Sequence, residues 1–227
     1  MLALLAPLLV ATAVEVERVL AVVNGVPILA SDAELAEVAA LVPRQAGESD
    51  GDYRRAVVEG LVDLELRWQD LTAAGITARA RTDLEAAWRV TVQRAGGDEA
   101  LHQRLTETGL AERELRELVR HAAVVQAYVA ARFAPFARPT PHEVETAWQQ
   151  ELAPELEKAG KPVPSLAEVR GEVEALLRER KLSSEVERWT ADLAKRAEVV
   201  RYLPGPSEPT PTKPGPPSAP APPGRSR

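Results

Sequence analysis

Residues 18–41 read RVLAVVNGVPILASDAELAEVAAL, and this stretch decides how the chain is organised. Asn24 and Gly25 lie between two apolar runs, Leu20–Val23 and Val26–Leu29. A two-residue type I′ turn needs a positive φ at both central positions, which Asn-Gly tolerates better than most pairs. The sequence therefore predicts a β-hairpin at the start of the folded region.

A helix is predicted directly after this hairpin. Ser31 is followed three residues later by Glu34, a capping-box pattern that predicts a helix from Asp32. Pro27 has no N–H to donate to a strand ladder, so the second strand of the hairpin is predicted at a sheet edge.

The hairpin needs a third strand, because two strands alone are marginally stable in water. The good candidate is Ala197–Leu203, AEVVRYL, at the far end of the folded region. We therefore expect Val199–Tyr202 to pair with one of the hairpin strands. Both ends of the folded chain would then meet in one small sheet.

Nearly all of the sequence between these strands is helical in pattern, with apolar residues recurring at steps of three and four. The fold class predicted is mostly α, a multi-helix module with a small terminal sheet. The apolar stripe of the last helix slips after Leu176, which predicts that its two halves pack against different partners. The predicted helices are Asp50 to about Gly75, Thr77 to Gly96, Asp98 to Thr108, Ala111 to Phe133, His142 to about Glu157 with an interruption at Pro154, and Ser165 to Arg196.

The two ends of the chain differ from this middle part. Residues 1–13, MLALLAPLLVATA, form a short apolar run ending in an A-x-A pattern, which predicts a secretory signal and a periplasmic or otherwise exported protein. A buried N-terminal strand or helix is the alternative. Residues 204–227 hold ten of the 19 prolines and predict a disordered or polyproline II tail. Residues 14–203 are then one domain.

Composition excludes several classes of function. The formal net charge of −6 and the lack of a basic patch argue against a nucleic-acid partner. No cysteine is present, which excludes a lipoprotein anchor attached at a cysteine, thiolate metal sites and cysteine nucleophiles. No segment after residue 13 is long and apolar enough to be a membrane anchor.

Catalytic motifs are also missing from the sequence. The histidines, His102, His121 and His142, lie far apart, and none belongs to an H-E-x-x-H pattern. No phosphate-binding loop or nucleophile elbow is found. The sequence therefore predicts no catalytic residue, no metal site and no cofactor.

Aromatic residues on the helices are the best candidates for binding. Trp68 and Trp189 fall on well-formed apolar stripes and are predicted to be core residues. Trp88 and Trp148 lie in more polar helices, so core packing and an exposed apolar groove are both open for them, and we take the groove as the prediction. The predicted peptide-binding set, gathered near the prolines at 135, 139 and 141, is Trp88, Trp148, Tyr128, Phe133 and Phe136.

Several of these stretches resemble the N-terminal module of SurA, which PrsA-type foldases share and which is similar to the arm region of trigger factor. The resemblance lies in Arg18–Ala36, Leu61–Ile76 and Leu105–Phe133, and Val169–Leu203 is similar to the segment that closes these proteins. It implies an exported, ATP-independent chaperone that binds unfolded outer-membrane or secreted proteins.

Many members of that family also carry a parvulin-type prolyl isomerase domain before the closing helix. Here that interval is Ala153–Pro164, which is too short to build such a domain. Two alternatives remain open: a prolyl isomerase with an unrecognised site, and a non-catalytic envelope assembly or scaffold module whose proline-rich tail contacts a partner.

Overall fold

The computed structural model describes residues 17–202, so the predicted signal and proline-rich tail lie outside the described residues. A β-hairpin opens this part of the chain, a series of helices follows, and a short strand ends it. The strands are β1 (Val19–Val23), β2 (Val26–Leu29) and β3 (Val199–Arg201). The helices are α1 (Ala30–Val38), α2 (Asp50–Ala73), α3 (Leu84–Ala95), α4 (Asp98–Thr108), α5 (Glu112–Arg132), α6 (Pro141–Ala147), α7 (Ala153–Lys158) and α8 (Leu166–Ala194).

The two ends of the described chain meet in one antiparallel sheet with the strand order β2-β1-β3, as predicted. Val23 lies opposite Val26 on one side and Val199 on the other. Asn24 and Gly25 have φ values of 50° and 84°, as a type I′ turn requires. Asn24 also joins the ends: its N–H donates to the Glu198 carbonyl at 2.8 Å, and its Oδ1 accepts from the Glu198 N–H at 2.8 Å.

The start of α1 differs from the prediction. The helix begins at Ala30 instead of Asp32, and the Asp32 carboxylate accepts the Leu29 N–H at 2.8 Å. The Ala30 N–H still bonds to the Arg18 carbonyl at 2.9 Å, so the strand passes into the helix without an intervening residue. No room is left for the predicted Ser31–Glu34 capping box. Burial raises the pKa of Asp32 despite the backbone bond that it accepts.

Two adjoining apolar clusters form what we call the main lobe, which comprises the sheet, α1 to α5 and the last turns of α8. In the first, α1 and α2 pack against the sheet, and Leu193 of α8 joins them. In the second, α1 packs against α3, α4 and α5, around Trp88 and Leu115. Leu41 and Leu118 contact both clusters, so the main lobe has one continuous core.

A third, smaller cluster lies apart from these and defines the minor lobe, residues 141–177. Its buried residues are Val144, Ala147, Trp148 and Val173. The first half of α8 packs here, while Trp189 and Leu193 pack into the main lobe. The predicted division of α8 between two partners is therefore confirmed. At about 1.5 Å per residue, this 29-residue helix links the lobes over roughly 43 Å.

Candidate peptide-binding pocket

The minor lobe contains an open, mostly apolar pocket between α7, α8 and the loop that joins them. Its volume of about 620 Å³ falls within the usual range for ligand sites. We call it the minor-lobe pocket. It is lined by Trp148, Leu152, Glu155, Leu156, Ala159, Lys161, Pro162, Pro164, Val169, Glu172, Val173 and Leu176.

One wall of the pocket is a π-helical turn, Trp148–Leu152, between α6 and α7. Pro154 lacks an N–H and its ring would clash with the carbonyl four residues earlier in an ordinary α-helix. The wider turn resolves this conflict, and the Ala153 N–H donates to the carbonyl of Trp148, five residues back. The predicted interruption at Pro154 is thus a widened turn in a continuing helical path. Such turns are frequent at functional sites.

The opposite wall is the first half of α8, which begins at a well-formed cap. The Ser165 hydroxyl and the Ser165 N–H both donate to the Glu168 carboxylate at 2.7 Å, and these two bonds lower the pKa of Glu168. Gly160 follows the end of α7 and has a φ of 64°, a conformation that favours glycine. Pro162 and Pro164 then lead into α8 along the rim of the pocket.

Two ion pairs hold the middle of α8 against the other side of the minor lobe. Lys181 Nζ lies 2.7 Å from a carboxylate oxygen of Glu143, and Arg180 lies 2.7 Å from Glu151. The hydrogen bond from Lys181, with further bonds from Thr140, lowers the pKa of Glu143 to about 2. These pairs join the π turn and α6 to the middle of α8.

The rim of the pocket is predominantly acidic. Glu155 and Glu172 belong to the lining, against the single cation Lys161. Over residues 148–177 there are six glutamates and three cations, so the lobe around the pocket carries a negative charge. An apolar floor with an acidic rim suits a ligand that is apolar and weakly basic.

Trp148 is the one predicted binding residue that lines this pocket. Its ring is 8% exposed and belongs to the minor-lobe core, so it forms the floor of the pocket instead of an exposed wall. The prediction that it shares a groove with Trp88 is wrong, because the two rings belong to different core clusters.

Trp88 is also buried, at 9% exposed. The guanidinium of Arg116 on α5 lies 3.9 Å from the centre of the Trp88 ring and covers it by a cation–π contact. The polar neighbours in the sequence, such as Arg89, are exposed on the outer face of α3. Sequence alone could not show that an arginine from another helix closes over the ring.

The other three predicted residues lie in the last turns of α5 or just after it. Tyr128 and Phe133 pack against Trp189 of α8, with ring centres 5.4 and 5.7 Å from that of Trp189. Trp189 also donates to Asp70 of α2 at 3.3 Å. Phe136 follows in a short 3₁₀ turn and is 73% exposed. We call Tyr128, Phe133, Phe136 and Trp189 the aromatic corner, and it is not part of the minor-lobe pocket.

A second apolar cavity lies in the main lobe between α2 and α5. This α2–α5 cleft measures about 340 Å³ and is lined by residues such as Leu64, Val125, Val129 and Val186. The sequence did not predict either cavity, although the slip in the apolar stripe of α8 predicted that its two halves pack against different partners. Val169 and Leu176 belong to the part of the stripe before the slip, and both line the minor-lobe pocket.

The described residues offer little for catalysis. Between residues 17 and 202, no group of three or more histidine, aspartate or glutamate side chains can hold a metal ion. His121 stacks on Trp68 with ring centres 3.7 Å apart, and burial beside Arg120 lowers its pKa to about 4. A neutral ring fixed by stacking suits packing better than proton transfer. None of the helices in this part of the chain combines the length and apolarity that a membrane span needs.

Comparison with known proteins gives no assignment. No protein-family model matches the chain, and a search of curated proteins finds no match.

Proposed function

We propose that the protein is an exported, ATP-independent chaperone-like protein that binds unfolded polypeptides in the minor-lobe pocket. Its clients on this proposal are outer-membrane or secreted proteins that have not yet folded. Binding is reversible and non-catalytic, and needs no cofactor. Apolar client side chains are buried on the Trp148 floor while the client backbone stays extended.

The pocket itself carries the proposal. It joins a mouth open to solvent with an apolar floor of leucine, valine and tryptophan side chains. Its ionisable lining residues, Glu155, Glu172 and Lys161, are all exposed at the rim, so no acid, base or nucleophile converges on a bound group. Such a site supports binding of apolar segments without a chemical step.

The sequence resemblance supports the same proposal. SurA-like proteins consist of a helical module closed by a long helix and a strand that pairs with the first strand, and this chain has that order of elements. Residues 153–164 form α7 and the loop to α8, so no parvulin domain stands there. The proposal is therefore for the chaperone module without an isomerase.

The expected affinity is modest. Apolar burial contributes about 25 cal/mol per Å², but an extended client loses conformational entropy when it binds. We expect dissociation constants on the order of micromolar, which allows release without ATP.

Suppression of aggregation tests this proposal. An unfolded outer-membrane β-barrel protein is diluted from urea with the full-length chain, and light scattering is followed. Leu176→Gln places an amide in the pocket wall, and we expect it to weaken protection about tenfold. Ala175→Gln is the matched control, since Ala175 is the exposed neighbour on α8 and does not line the pocket.

Helicity of both variants is compared by circular dichroism. Equal protection by the parent and Leu176→Gln, with equal helicity, would contradict the assignment of the pocket. Export is tested separately by N-terminal sequencing of protein from the native host. A chain that begins near Val14 supports export, and an intact Met1 overturns it.

A further inference from the structure

We propose that the minor-lobe pocket also binds a segment of its own chain, residues 213–225. These residues read KPGPPSAPAPPGR, and we call them the basic proline segment. Docked within the same molecule, it would occupy the pocket until a client displaces it. The inference rests on the proposed function only in that both concern the same pocket.

Shape is the first argument. Six of the thirteen residues in the segment are proline, and proline-rich sequences favour the extended polyproline II conformation before binding. Such segments lose little entropy when they dock on grooves lined by aromatic and apolar side chains. The pocket offers the Trp148 ring with Leu152, Leu156 and Leu176 around it. Its volume of about 620 Å³ admits several proline rings.

Charge is the second argument. The segment carries Lys213 near one end and Arg225 at the other, with no acidic residue between them. The rim of the pocket presents Glu155 and Glu172, and over residues 148–177 glutamates outnumber cations by six to three. An acidic rim favours a basic ligand over a neutral or acidic one. The α2–α5 cleft, by contrast, has Arg67 and Asp63 in its lining and no such excess of acid.

Reach is the third argument. The described chain ends at Tyr202, whose N–H bonds to the Leu20 carbonyl beside β1. From Leu176 to the end of α8 is about 27 Å along the helix axis; the connection to β3 adds about 17 Å at most, and β3 about 10 Å. The twenty residues from Tyr202 to Pro222 span about 62 Å as polyproline II, which exceeds the sum of these distances. The segment therefore reaches the pocket within one molecule.

The test uses the full-length chain with two spin labels. Because the chain contains no cysteine, Ser218→Cys and Glu157→Cys provide unique labelling sites in the segment and on α7. We expect double electron–electron resonance to give a short, narrow distance distribution. Reversing both tail charges, Lys213→Glu with Arg225→Glu, should abolish that peak. The conservative pair Lys213→Arg with Arg225→Lys should retain it.

Three results would overturn the inference. One is a broad distribution in the parent that charge reversal leaves unchanged. Another is a narrow peak that survives both charge reversal and Leu176→Gln, which would place the segment elsewhere. The third is a peak that disappears on dilution with unlabelled chain, because the segment would then come from a second copy. A parent that protects clients but lacks the peak refutes only the docking, and a peak without client protection refutes only the proposed function.

Discussion

The main and minor lobes are built from the same kind of amphipathic helix, yet they differ in how their cores are closed. In the main lobe, β1 is hydrogen-bonded on both sides, and residues from both ends of the described chain pack on α2. The minor lobe has four buried residues, and one side of them faces the open pocket. The main lobe is therefore closed by packing, whereas the minor lobe leaves apolar surface open to solvent.

This contrast has an energetic consequence. Local stability follows the number of buried apolar contacts, so a region with a small core opens more readily than the rest of the protein. The ion pairs Lys181–Glu143 and Arg180–Glu151 attach the minor lobe to α8 but are partly exposed and contribute little on their own. We expect the minor lobe to open without unfolding of the main lobe.

The largest effect should come from removing β3. Deletion of residues 198–227 exposes the edge of β1 and removes Val199 from the main core, together with the Arg201–Glu59 ion pair. We expect the Tm to fall by more than about 10 °C, corresponding to about 3 kcal/mol or more. Deletion of residues 204–227 is the control and should leave the Tm almost unchanged. Equal melting temperatures for the two truncations would refute the role of the closing strand.

Replacing Trp88 or Trp148 with alanine should affect the two lobes differently. Trp88→Ala leaves a cavity beneath Arg116 in the main core, and we expect it to lower the free energy of unfolding by about 3–5 kcal/mol. Trp148→Ala removes the floor of the minor lobe, so faster amide hydrogen exchange should be confined to residues 141–177, with little change in the main-lobe Tm. A global loss of stability from Trp148→Ala would show that the lobes unfold as one unit.

Lowering the pH should reduce the stability of the main lobe, because His121 becomes protonated. Its pKa is about 4 in the folded protein against 6.5 ordinarily, because of burial and then Arg120. The unfolded chain therefore binds more protons between these values, and the stability contributed above pH 6.5 is lost as the pH falls to 4. His121→Phe keeps a ring against Trp68 and should flatten this dependence in urea titrations. His142→Gln, at an exposed site on α6, is the matched control and should retain the parent's slope.

The smallest effect should come from Glu143, whose contribution to the stability of the minor lobe is lost only in strong acid. Lys181 and Thr140 lower the pKa of Glu143 from 4.5 to about 2. The contribution of this carboxylate is present above pH 4.5 and is lost as the pH falls through 2. Glu143→Gln should speed amide exchange in α6 at pH 7, and the difference from the parent should vanish near pH 2. Glu145→Gln, an exposed neighbour, should show no difference at either pH.

The sheet was the most predictable part of the fold, for a physical reason. A hairpin with an Asn-Gly turn has a nearly unique local geometry, and its need for a third strand singled out AEVVRYL. The start of α1 was less predictable, because Asp32 and Ser31 both offer a capping oxygen and only the strand ladder decides between them.

The pocket could not be predicted, because it depends on tertiary placement. The slip in the α8 stripe indicated two packing partners, but the distance between α7 and α8 is set by the π turn at Pro154 and by the loop from Gly160 to Pro164. Polar neighbours made Trp88 and Trp148 look exposed, although each turns its ring to the inner face of its helix. Patterns along one helix do not show what another helix covers.

The most direct test of the central claim is hydrogen exchange of the full-length chain with and without an unfolded outer-membrane protein. We expect the client to slow exchange in residues 148–177, around the minor-lobe pocket, while exchange in α2 and α5 stays the same. Protection of the α2–α5 cleft or the aromatic corner, with no change in the minor lobe, would contradict the account.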